Sequence, residues 1–177
     1  LTAASFGLEN GLVSAKLNGS ATVTKSTGGV VTLTGANALS GSLFVNEGSL
    51  VVSGAGLLTS GAVTVNGSAT YLTLGSTSQN VGAFRLIDGV VEAGTLTATG
   101  FTLENGLVSA KLNGSATVTK STGGMVTLTG ANALSGLLFV NEGSLAVSGA
   151  GLLTSGAVTV NGGTAVLTLG STAQSVG

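Results

Sequence analysis

Glu9, Glu47, Asp88, Glu92, Glu104 and Glu142 are the residues best suited to chemistry in this chain, because its 177 residues include neither His nor Cys. Without those two types there is no Ser–His pair, no thiolate nucleophile and no common transition-metal ligand set. Carboxylates alone support two chemistries. Glycoside cleavage needs two acids facing one bond, and Ca²⁺ binding needs several oxygens in one tight loop. The spacing favours neither. Glu9, Glu47, Asp88, Glu104 and Glu142 each stand one or two positions before a recurrent small residue, one repeat unit or more from the next. Lys25 and Lys120 fall close to the same column, between Glu9 and Glu47 and between Glu104 and Glu142. The column Glu9, Lys25, Glu47, Asp88, Glu104, Lys120, Glu142 therefore reads as alternating charge on an exposed edge, worth about 0–1 kcal/mol per pair. The Asp-rich glycine nonapeptides of calcium-binding β-rolls are missing.

Other motifs are turn chemistry before they are sites. Asn18, Asn66 and Asn113 open Asn-Gly-Ser triplets, the N-glycosylation acceptor pattern, but Asn-Gly is first a turn dipeptide. Asn46, Asn66, Asn141 and Asn161 are expected to stack as an amide ladder inside a corner. Thr-x-Thr pairs at Thr22/Thr24, Thr32/Thr34 and Thr95/Thr97 suggest an ice-binding plane, which the irregular column Ser14, Thr32, Val51, Tyr71, Glu92 argues against. Gly54-x-Gly56 lacks the third glycine and the strand–helix context of a phosphate loop. A polysaccharide groove would want aromatics, and Tyr71 becomes Val166 in the second copy. Net charge is −1 and the five cations are scattered, which leaves no surface for nucleic acid.

The elements that carry these residues are set by an unusual composition. Charged residues make up 6%, there are 31 Gly, and Pro and Trp are absent. Mean hydropathy is +0.62, yet no apolar run approaches the roughly 18–20 residues of a spanning helix. A transmembrane barrel would want aromatic girdles, whereas five Phe and one Tyr are spread through the chain. Freedom from Cys is compatible with an oxidising exterior.

Residues 1–82 align with 96–177 at an offset of 95, with 12 differences. Within that period a shorter unit recurs in FGLENGLVSA (6–15), LFVNEGSLVV (43–52), VTVNGSATYL (63–72) and FRLIDGVVEA (84–93), and more loosely in TKSTGGVVTL (24–33). Its corners are Gly11, Gly29, Gly48, Ser68 and Gly89, then Gly106, Gly124, Gly143 and Gly163, a mean spacing of 19. Apolar and polar residues alternate on both sides of each corner, the period-2 signature of a strand with one buried face. Phe6, Leu8, Val13 and Ala15 are placed inward, as are Val31, Leu33, Leu50, Val52, Val91 and Ala93, with Ser14 outward. A unit this small cannot bury its own apolar face and must stack on copies of itself. Parallel stacking gives a β-solenoid of about nine coils, roughly 40 Å tall at about 4.8 Å per coil. An antiparallel meander would explain each corner but not the register kept over nine unequal units. The segment GAGLLTSG (54–61), repeated at 149–156, is expected to form a wider loop or a short helical turn.

The stretches Leu33-Thr34-Gly35-Ala36-Asn37, Val45-Asn46-Glu47-Gly48-Ser49-Leu50 and Gly61-Ala62-Val63-Thr64-Val65-Asn66-Gly67, with second copies at 128–132, 140–145 and 156–162, resemble the autotransporter-associated β-strand repeat of Gram-negative surface proteins. ATVTKSTGG (21–29) resembles the strand leading into that repeat. The resemblance implies a right-handed parallel β-helix in a secreted passenger, delivered through the outer membrane by a C-terminal barrel outside this sequence. The expectation is thus an all-β right-handed parallel β-helix whose coils follow the corner spacing, five of them to a period. It would be one continuous solenoid over 1–177, an excerpt of a longer array with repeats 1–95 and 96–177, the second incomplete. The expected role is an extracellular, adhesin-like stalk or fibre at the bacterial surface, with no catalytic site, cofactor or metal. Partners would be further copies, end to end or laterally, or a host or neighbouring cell through regions outside the chain, with no nucleic acid and no membrane insertion. The alternative is a self-assembling extracellular filament subunit; a polysaccharide-binding solenoid ranks below both.

Overall fold

The structure, a computed structural model, describes residues 1–148, 156–170 and 174. Among these the chain forms strands and no helix. The first two coils hold β1 (Ser5–Leu8), β2 (Gly11–Val13), β3 (Asn18–Gly19), β4 (Thr22–Leu33) and β5 (Ala38–Leu39). The next three hold β6 (Leu43–Val52), β7 (Val63–Val65), β8 (Tyr71–Thr73), β9 (Ser78–Asn80), β10 (Ala83–Leu86), β11 (Val90–Glu92) and β12 (Thr95–Thr97). The second period holds β13 (Gly100–Leu103), β14 (Gly106–Val108), β15 (Lys111–Gly114), β16 (Val118–Leu128), β17 (Ala133–Leu134), β18 (Leu138–Val147), β19 (Val158–Val160) and β20 (Val166–Leu169).

Alternating residues make these strands, and stacking orders them. On the first face each rung is the parallel register partner of the next, running Phe6, Val23, Leu43, Val63, Phe84, Phe101, Val118, Leu138, Val158. Nine rungs bound about eight turns of a right-handed parallel β-helix. Phe6 and Phe101 occupy the same place in the two periods, and five steps of unequal length separate them, so five coils close one period. The second face is built from β2, β8, β11, β14 and β20 with the later halves of β4, β6, β16 and β18, which run round the corner between the two faces. A third, narrower face pairs β3 with β5, and β9, β12, β15 and β17 in series.

Inward side chains from all three faces meet along the axis. Leu33, Leu50, Leu72, Leu86 and Leu112 are almost wholly buried, each such Leu contributing about 1.5–3 kcal/mol. The joint between periods is continuous, because β10 pairs with both β7 and β13 and Phe84 packs at 6.1 Å on Phe101. Burial belongs to the stack rather than to the coil. Ala15, in the first coil, is exposed while its repeat partner Ala110 is fully buried, and Val65 is buried while Val160 is exposed. Ala93, expected inward, is also exposed and takes a left-handed turn conformation (φ 57°).

The segment 54–61 is a loop and not a helical turn. Gly54 (φ 61°) starts a tight turn closed by the Gly56 N–H donating to Ser53 O at 2.9 Å. The chain then rejoins the third face, where Ser60 N–H donates to Leu39 O at 2.9 Å. Residues 149–155 of its second copy lie outside the described residues.

Candidate functional site: interior lysines, interior amides and the corner rim

The charged column is the first correction. Alternation puts Lys25 in phase with Val23, and the register sets it between Leu8 below and Val45 above, both core positions. Its residue exposure is 0%, as is that of Lys120. Neither is an exposed partner for neighbouring acids. A buried ammonium needs acceptors, and the wide corners 26–30 and 121–125 supply them. Lys25 Nζ donates to the carbonyls of Thr27 and Glu47, the latter at 3.0 Å, with Thr27 Oγ1 at 3.3 Å. Lys120 repeats the arrangement with the carbonyls of Thr122 and Glu142, the latter at 3.1 Å. The threonine hydroxyls brace the corner from outside, Thr27 Oγ1 donating to Glu9 O at 2.7 Å and Thr122 Oγ1 to Glu104 O at 3.1 Å. Burial lowers the pKa of both lysines, against the pull of the Glu47 and Glu9 carboxylates on Lys25 and of Glu142 and Glu104 on Lys120.

The acids themselves stay outside. Glu9, Glu47 and Glu142 are exposed. Glu104 pairs with Arg85 at 2.5 Å, and Asp88 Oδ1 accepts from Gly89 N–H at 2.8 Å and Asn105 Nδ2 at 2.9 Å. Glu92, on the second face, accepts from Thr73 Oγ1 at 2.8 Å. Among the described residues no group of three or more acids gathers to hold a metal ion.

The amide ladder is the second correction. Asn46, Asn66, Asn141 and Asn161 are exposed on the outside of the corner, since each follows the inward Val45, Val65, Val140 or Val160 and alternation turns it outward. Among the described residues the buried amides are Asn37, Gln79 and Asn132, all near the third face. Asn37 Oδ1 accepts from Leu17 N–H at 2.9 Å and its Nδ2 donates to Leu57 O at 2.7 Å, clamping three successive coils. Gln79 Oε1 accepts from Leu58 N–H at 2.8 Å while its Nε2 donates to Gly56 O at 3.0 Å. Asn132 Oδ1 accepts from Leu112 N–H at 2.8 Å. The repeat counterpart of Leu57 is residue 152, outside the described residues. A signal for Asn37 exists in the sequence, because it shares the phase of Leu33, Gly35 and Leu39.

At the corners, Gly11, Gly48, Gly89, Gly106 and Gly143 have positive φ. Gly29 and Gly124 sit where a Cβ would stand 2.9 Å from Glu9 O and 2.7 Å from Glu104 O. Ser68 and Gly163 are exposed, and the positive φ falls one residue earlier, on Gly67 and Gly162. A groove of about 330 Å³ opens on the third face, bordered by Asn37, Leu57, Ser60, Ser78 and Asn80, and no charged side chain lines it. The arrangement as a whole clamps coil to coil. No family model, no curated protein and no solved structure matches this chain.

Proposed function

We propose that the chain is a length of structural rod, part of an extracellular stalk or fibre at the surface of a Gram-negative bacterium. The reading rests on the seamless joint between periods: Val63, Phe84 and Phe101 continue one column across it, so a further period would extend the rod without a new interface. The polar groups inside hold coils together, as Lys25, Asn37 and Gln79 illustrate. In such a protein reach is set by repeat number and specificity lies in regions beyond the array. The extracellular setting rests on the resemblance of the repeat stretches and on a Cys-free composition. A self-assembling filament is the second reading, favoured by the near-identity of the two periods, 12 differences in 82 positions.

Antibody to the 177-residue chain, applied to intact producing cells, tests the setting. Labelling without permeabilisation supports the surface reading, and labelling only after lysis would end it. Electron microscopy of the purified native polypeptide separates the two readings. A rod carrying a distinct tip or base is the stalk, whereas rods joined into filaments much longer than one polypeptide allows are the second.

A further inference from the structure

We infer that the second face is a homotypic pairing surface, on which the rod takes a second copy of itself side by side. The inference builds on the reading of the chain as a structural rod. Large apolar side chains are exposed there in three neighbouring outward columns: Leu12 in one, Val30 (48% exposed) and Tyr71 (43%) in the next, and Met125 (58%) and Val166 in the third. Glu92 is the single charge in the nine strand segments of that face, and Thr73 already binds its carboxylate. The first face also exposes Phe44 and Leu137, but the Arg85–Glu104 ion pair crosses it.

Shape identifies the occupant as a copy. Register partners run Val30, Ser49, Tyr71 in the first period and Met125, Ser144, Val166 in the second. Each set is large, small, large, so a notch lies between two knobs. Two copies face to face and offset by one coil, about 4.8 Å, set Val30 of one opposite Ser49 of the other and Ser49 opposite Tyr71, while Tyr71 meets Val90, the next residue of the column. The second period offers the same local match at Met125, Ser144 and Val166, two residues nearer the corner than the column continued by Val90, Leu107 and Thr127, and the strand segments of the face bring a single acid to the contact. Three to four residues wide and nine rungs tall, the face covers about 500 Å² per copy and about 1,000 Å² per pair, at the lower limit of specific interfaces. Each added period contributes about 300 Å² per copy, so pairing strengthens with length. A small globular partner would gain nothing from that growth.

Sedimentation velocity of the 177-residue chain from about 10 µM to 1 mM tests the pairing, with circular dichroism confirming that every variant keeps its strand signal. The expected result is a weak, concentration-dependent side-by-side dimer. Val30→Glu with Met125→Glu raises its dissociation constant at least about tenfold, because unpaired carboxylates enter the contact. Ser49→Phe with Ser144→Phe also weakens it, although both changes add apolar surface, because the notches are filled. Ser20→Glu with Ser115→Glu, exposed and away from the second face, leaves it unchanged. Tighter association of the notch-filled variant would overturn the inference, and so would a dimer lost only on Val160→Glu at the last described rung. A chain that stays monomeric at the highest concentration with its strand signal intact would overturn the pairing and leave the rod reading standing; loss of the coil register itself would overturn both.

Discussion

Lys25 shows how a charge can be a core residue. Its methylene stem continues the Leu8 and Val45 column, and its ammonium satisfies carbonyls that the wide corner would otherwise orphan. Lys25→Met keeps the volume but leaves Thr27 O and Glu47 O without that donor, so it is expected to cost about 1–3 kcal/mol at neutral pH in urea unfolding. The pH dependence has a definite sign. Folding lowers the lysine pKa below its ordinary 10.5, so between the lowered value and 10.5 the unfolded chain binds more protons. Unfolding free energy then rises with pH through that window, and below it the desolvation penalty is present in full. Relative to the Lys25→Met/Lys120→Met variant, the unaltered chain should therefore gain stability as pH climbs toward 10.5; a difference that stays flat or falls would contradict the burial. Asn37→Leu removes both an acceptor for Leu17 N–H and a donor to Leu57 O, an expected loss of about 2–4 kcal/mol read from the same titration. Both residues sit in the inward phase of the alternation. Residue type alone places Lys25 outside, because charged side chains are almost never fully buried. The carbonyls of a neighbouring coil, invisible in a linear sequence, make the exception possible.

The strands and corners are the most legible elements, because period-2 alternation around a recurrent small residue admits few other structures. Leu43, Val45, Leu50 and Val52 are all buried as that pattern requires. Leu50→Asp should abolish cooperative folding by burying an unpaired carboxylate, whereas Ser14→Asp, on an exposed position, should shift the melting midpoint by little; equal tolerance of the two would mean the register is wrong. At Gly48 the turn needs φ 69°, and a Cβ there would meet the carbonyls of Gly29 and Thr27 in the coil below. Gly48→Ala combines a left-handed backbone with that clash and is expected to cost about 2–4 kcal/mol by thermal or urea unfolding. The third face is harder to read. Its strands are short, and at 57–60 the ladder gives way to side-chain bonds from Asn37 and Gln79, so no alternation long enough to detect ever develops.

For the whole molecule, the consequence of stacked coils is a constant rise. One period is five coils, and at about 4.8 Å each it advances the rod by about 24 Å. Repeat number then converts directly into length, the property a stalk or fibre requires. The period itself is plain in the sequence, but two local arrangements fit it, one parallel coil or one antiparallel hairpin per unit, and they advance at different rates. The chain has no Cys, so two labels can be placed without competition. The most direct test is the distance between spin labels at Thr64→Cys and Thr159→Cys, equivalent outward positions one period apart on the first face. Five parallel coils predict a single narrow distribution centred at about 24 Å. A distribution centred at about 48 Å, the separation given by ten antiparallel strands, would contradict the solenoid and the structural role built on it.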